Sequence, residues 1–184
     1  MANNKYRKLP TGIQSFNKIR EENYLYVDKT DIIWKLANKG KQYNYLSRPR
    51  RFGKSVLVDT LQCYFEGRKE LFEGLKIMDL EKDWKAYSVI RLDMSRGGAN
   101  AETLRSYLNL RFGYYEEKYA ITPDPTTQLA DRFDAIITTA YKQTGLKVAI
   151  LIDEYDSPLQ HSWKTPEHEA CTVGYRAVFA MFEA

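Results

Sequence analysis

Cysteine is nearly absent: Cys63 and Cys171 are the only two in 184 residues, and neither belongs to a C-x-x-C pair. A disulfide scaffold is excluded, and a reducing compartment is the default. Histidine is as scarce, with His161 and His168 alone. Together with Cys171 they fall one ligand short of a structural zinc site. No apolar run approaches the ~20 residues of a membrane-spanning helix, so no membrane contact is expected. The opening MANNKYRKLP has no apolar core of a secretory leader, and a cytoplasmic protein is expected. A large excess of one charge is also missing. The 28 Lys and Arg against 24 Asp and Glu leave +4, too little by itself to imply nucleic acid. What remains is 43% hydrophobic and 28% charged, the composition of a folded domain rather than a disordered or fibrous chain.

The pattern along the chain alternates strands and helices. Helices are predicted over Asp31–Asn38, with Gly40 as the stop, and over Ser55–Glu66, stopped by Gly67. Two more are predicted over Glu102–Tyr119 and over Pro125–Thr144, the latter capped by Asp124 and ended by Gly145. Pro166–Phe182, with Thr165 as cap, closes the chain. Strands are predicted at Gln42–Ser47, Tyr87–Met94 and Lys147–Asp153, and residues 66–83 read as an irregular connection with short helical pieces. This order predicts an α/β fold with a mostly parallel sheet, whose ligands bind beyond the carboxyl ends of the strands.

Beyond the first of these strands stands Arg48-Pro49-Arg50-Arg51-Phe52-Gly53-Lys54-Ser55, followed by a helix. A phosphate-binding loop reads G-x-x-x-x-G-K-[ST] in that context. Arg48 replaces the first glycine; Gly53, Lys54 and Ser55 comply. Gly53 lets the backbone approach a phosphate. The N–H groups of about Arg51–Ser55 form an anion nest at a helix N-terminus. Lys54 reaches the β- and γ-phosphates, and Ser55 is a ligand for Mg²⁺. Six basic residues between Lys39 and Lys54, with no acid among them, raise the local positive charge.

Beyond the last predicted strand, Val148-Ala-Ile-Leu-Ile-Asp153-Glu154 ends an apolar run in two carboxylates. This is the form of a Walker B element. Asp153 would hold Mg²⁺, and Glu154 would act as general base on water. Asp93 is the other strand-end carboxylate. The bland alternatives are a solvated basic turn for the first motif and a core strand ending in surface acids for the second. A phosphate loop needs a strand-end carboxylate for its metal, so the two motifs support each other.

Ser47–Ser55 and Leu151-Ile-Asp-Glu-Tyr-Asp-Ser-Pro-Leu159 resemble the signatures of the bacterial AAA-ATPase-like family, as do Tyr26-Val-Asp-Lys-Thr30 and Tyr64–Phe72. The family's own loop carries Arg at the position of Arg48. The resemblance implies a P-loop NTPase of three layers and a cytoplasmic ATP hydrolase. Arg48–Ser55 would hold ATP, with Ser55 and Asp153 on Mg²⁺ and Lys54 and Glu154 as catalytic residues. It also implies two further core strands and a C-terminal nuclease-like domain through which nucleic acid would be met. Residues 1–184 would then be the N-terminal part of such a domain, truncated after the Walker B strand and the next helix. Tyr26 and Asp28 would line the adenine pocket or pack an N-terminal arm. Two other readings stay open: a nucleic-acid-binding module using the basic segment 39–54, and nucleotide binding without turnover.

Overall fold

The structure is a computed structural model that describes residues 7–47, 52–124 and 126–180. Two compact units divide the chain, Met1–Tyr87 and Ser88–Ala184.

Among its described residues the first unit is helical. It contains α1 (Phe16–Glu21), α2 (Thr30–Lys39), α3 (Lys54–Phe65) and α4 (Ile77–Leu80). Its core gathers Phe16, Ile33, Cys63, Tyr64, Leu71, Phe72 and Ile77. Phe16 is fully buried, with ring centroids 4.9 Å from Phe72 and 5.1 Å from Tyr26. Each such side chain removed from water contributes about 1.5–3 kcal/mol. Polar pins fix the helices around this core. Asp59 on α3 accepts the Phe16 N–H at 2.7 Å. Asp28 accepts the N–H and hydroxyl of Thr30 and also the Lys76 N–H. The Thr30 hydroxyl oxygen in turn accepts the buried Ile77 N–H. Of the two readings of Tyr26–Thr30, these contacts support packing: Tyr26 lies against Phe16 and Asp28 ties α2 to α4.

Burial pushes the Asp28 pKa up, but hydrogen bonds from Lys76 and Thr30 outweigh it and hold this carboxyl below its ordinary value. Its stabilisation is therefore present above the unfolded value of ~3.9 and is lost as pH falls through the lower folded value. Asp28→Asn is expected to cost about 1–3 kcal/mol at neutral pH. The gap to the parent should close under acid, as urea melts at the two pH values will read.

The second unit is α/β. Strands β1 (Val89–Asp93) and β2 (Ala149–Asp153) pair in parallel, with Asp93 opposite Asp153. Helices α5 (Ala101–Lys118), α6 (Leu129–Thr144), α7 (Ser157–Ser162) and α8 (His168–Phe179) complete it. Ile90, Leu92, Ile150 and Ile152 join one core with Leu108 and Phe112 of α5, Phe133 and Ile136 of α6, and Cys171 and Val178 of α8. Phe112 and Phe133 stack at 5.0 Å. Two tyrosine hydroxyls of α5 serve the β1 backbone. Tyr115 accepts the Arg91 N–H at 2.6 Å and donates to the Arg91 carbonyl. Tyr107 accepts the Asp93 N–H at 2.7 Å. Burial pushes the Tyr107 hydroxyl pKa up, so it stays a neutral partner. Side chains thus satisfy β1 backbone groups that would otherwise invite another strand.

Several sequence expectations are corrected. Gln42–Ser47 forms no strand. A strand needs a ladder partner and a face to bury, and Tyr43, Tyr45 and Leu46 are exposed instead. The described sheet therefore has two strands where three were expected. Helix α6 begins at Leu129, because Asp124 spends its carboxylate on the N–H and hydroxyl of Thr126 and does not cap it. Helix α8 begins at His168, and the Thr165 hydroxyl donates back to Ser162 instead of capping. Gly145 ends α6 as expected, in the left-handed conformation at φ +66°, with its N–H on the Tyr141 carbonyl.

Candidate functional site

The residues singled out from sequence lie in both units. Arg48, Pro49, Arg50 and Arg51 lie outside the described residues. Phe52 is 64% exposed. Gly53 follows in the left-handed region at φ +76°, and Lys54 and Ser55 open α3 directly after it. A Cβ at position 53 would meet nothing within 4 Å among the described residues beyond its chain neighbours. Backbone conformation, not crowding, is what asks for glycine there. Among the described residues no side chain caps this helix, and its first turn carries no acid. The first N–H groups of this twelve-residue helix meet no side-chain cap among the described residues, at the positive end of its dipole. Farther along, Cys63 and Tyr64 anchor α3 in the core and Asp59 holds α1 to it. The charge count of the unit has the sign that attracts an anion. Met1–Tyr87 carries 18 Lys and Arg against 11 Asp and Glu, while Ser88–Ala184 carries 10 against 13. The whole positive excess of the chain belongs to the half with the loop.

In the second unit the candidate residues lie at the carboxyl edge of the two-stranded sheet. Asp153 ends β2 and is buried, and one carboxylate oxygen accepts the Glu154 N–H at 3.0 Å. Glu154 sits at φ +49°, a conformation that costs a residue with a Cβ about 1–2 kcal/mol. Its carbonyl accepts the Ser157 N–H as α7 begins. Strain of this kind gathers at functional positions. Beside Asp153, Asp93 accepts the N–H and hydroxyl of Ser95 on one oxygen and faces Arg96 at 3.7 Å with the other. The structure thus brings Asp93, Arg96, Asp153 and Glu154 to one edge.

A buried carboxylate and a serine hydroxyl are hard oxygen donors, suited to Mg²⁺ rather than to a soft metal. Among the described residues no three His, Cys, Asp or Glu side chains group to hold a metal. His161 and His168 pair with the hydroxyls of Ser157 and Ser162, and the Cys171 thiol points to the Pro158 carbonyl. No helix among the described residues is long and apolar enough to cross a membrane. The roles of Tyr107 and Tyr115 escaped the sequence reading. Their signal was present as two hydroxyl-tipped rings eight residues apart on the buried stripe of α5.

Comparison with known proteins identifies a family. The model of a family described as predicted AAA-ATPase matches residues 10–183. A protein of Azotobacter chroococcum mcd 1, described as "Uncharacterized protein in vnfD 5'region", is 39% identical over 164 residues. That match covers 88% of this chain and 31% of the relative, so the chain spans about a third of the relative's length. No solved structure matches the chain. With the family model covering nearly all of its residues, the chain belongs to the AAA-ATPase-like family.

Proposed function

We propose that this chain is a P-loop ATPase domain that binds ATP with Mg²⁺ and hydrolyses it in the cytoplasm. The observation that carries the reading is the start of α3: a left-handed Gly53, then Lys54 and Ser55, on a helix N-terminus that no side chain among the described residues caps. Phosphates suit such a terminus because its N–H groups and dipole both favour negative charge. Arg48–Ser55 cradle the triphosphate, and Lys54 neutralises its β- and γ-oxygens. Ser55 and Asp153 would hold Mg²⁺, which would supply further charge neutralisation on the phosphates. Glu154 orients a water and takes its proton. The water oxygen bonds to the γ-phosphorus as the bond to the bridging oxygen breaks, releasing ADP and phosphate. The loop amides and Lys54 stabilise the charge that develops.

Lys54→Ala tests the reading. Calorimetric titration with Mg-ATP should show binding to the parent and a loss of at least tenfold in the variant. Equal affinity in the two would sink the assignment.

A further inference from the structure

We propose that a small cavity of the first unit binds a guanidinium group, with the Glu81 carboxylate as its counter-ion. The inference is independent of the nucleotide reading and uses no residue of the phosphate loop. The cavity measures about 120 Å³ and is lined by Asn38 of α2, Tyr64 of α3, and Glu81, Asp83, Trp84 and Tyr87 from the segment after α4. At the ~30 Å³ that one water occupies in the liquid, it holds about four non-hydrogen atoms. A guanidinium head is one carbon and three nitrogens.

The floor of the cavity is a carboxylate held ready for a cation. Burial pushes the Glu81 pKa up, but the Tyr64 hydroxyl and N–H groups of the following loop outweigh it and hold the carboxyl below its ordinary value. The Tyr64 hydroxyl donates to one Glu81 oxygen at 2.5 Å, and the Asp83 N–H donates to the other at 2.9 Å. Each oxygen has two acceptor sites, so both retain one. Asn38 donates to the Tyr64 hydroxyl at 3.0 Å and to the Trp34 carbonyl, and its Oδ1 accepts nothing among the described residues. Glu81 has no ion-pair partner among the described residues. The other carboxylates that hydrogen bonds hold low in the helical part of this unit are committed elsewhere. Asp31 pairs with Lys35 at 3.1 Å, and Asp28 ties α2 to α4. Lys85 also lines the cavity, but its contact is with Asp83 at 3.6 Å, and both side chains are more than half exposed.

The walls are aromatic and fixed. Trp84 packs edge-on to Tyr64 at 5.9 Å and tilted to Phe72 at 5.2 Å. Its φ of +41° is a conformation that bulky residues rarely adopt, and one that persists only where the surroundings enforce it. Gly67 allows the approach that enforces it, since a Cβ there would come 3.2 Å from the Trp84 carbonyl. The Tyr87 N–H bonds the Phe65 carbonyl at 2.6 Å, and its ring meets Phe65 at 5.8 Å. Aromatic faces beside a carboxylate favour a flat cation over a compact one. A guanidinium stacks on rings and bonds a carboxylate through two N–H groups at once, whereas an ammonium is a strongly hydrated point charge.

The test follows the indole N–H of Trp84 by NMR in the full chain, with Trp34 and Trp163 as references. Methylguanidinium should shift it saturably, and the neutral isostere methylurea should not. Glu81→Gln should weaken the binding at least tenfold. Because Glu81 also holds Tyr64, the exposed Lys85→Ala serves as a second variant that spares the walls. Loss of its competing charge should tighten binding by about two- to fivefold. An equal response to methylurea, an equal shift of all three indoles, or parent-like affinity in both variants overturns the site. Methylammonium binding as tightly as methylguanidinium overturns the guanidinium assignment. With the site upheld, a peptide acetyl-Gly-Arg-Gly-amide that binds tighter than methylguanidinium assigns the occupant to an arginine of a protein partner. Equal affinity assigns it to a free guanidinium compound.

Discussion

Glu154→Gln should bind Mg-ATP like the parent and release phosphate at least a hundredfold more slowly. The amide is the same size as the carboxylate and adopts the same backbone, so the change removes little but the proton acceptor. A positioned general base contributes about 10²–10⁴ in rate. Steady-state phosphate release checks the expectation, and parent-like turnover would remove Glu154 from the mechanism. Glycine at the same position separates strain from chemistry. Glu154 holds φ +49°, and glycine adopts that region without a Cβ penalty. Part of the gain is returned because a glycine chain loses more entropy on folding. Glu154→Gly should therefore raise stability by up to ~1 kcal/mol while losing turnover as the glutamine variant does. A more stable but inactive protein would identify Glu154 as a residue kept for its chemistry at a cost to the fold.

Arg132→Met is expected to destabilise the second unit by about 3–5 kcal/mol. Glu116 is 3% exposed at its side chain, and Arg132 is its ion-pair partner at 2.7 Å. Both carboxylate oxygens are taken by the one guanidinium, which also donates to Asn109 and lies over the Phe112 ring at 6.0 Å. Removing the arginine leaves a carboxylate buried without its counter-charge, and the missing desolvation energy is then unopposed. Replacing both partners by apolar groups removes the charge along with the need for it. Arg132→Met combined with Glu116→Leu should recover most of the loss. Urea midpoints for the parent, the two single variants and the double variant close the cycle. A double variant no more stable than Arg132→Met would show that packing around this pair, not its charge, holds α5 to α6.

Much of the fold could be read in the sequence wherever local pattern and tertiary demand agree. The helices α2, α3 and α5 fall within a residue or two of their predicted bounds, because apolar spacing and glycine stops act over a few residues. Gly145 was legible as a stop for α6 for the same reason. Asp124 and Thr165 were misread because capping is decided by competition. Each had a nearer backbone or side-chain partner, and only three-dimensional geometry ranks such offers. Gln42–Ser47 shows the limit most clearly. Alternating tyrosines give a strand-like pattern, but no strand forms without a partner edge, and a partner is never encoded within six residues.

The sequence by itself determined which residue types stand where phosphate chemistry needs them. The order Gly53-Lys54-Ser55, the apolar run into Asp153-Glu154 and the family they point to required no coordinates, because each is a short covalent pattern. The tertiary structure decided their condition. It set Gly53 and Glu154 in the left-handed region, buried Asp153 and delivered Arg96 and Asp93 to the same edge as Asp153. These are results of long-range packing and strand register, which bring together residues sixty positions apart in the chain.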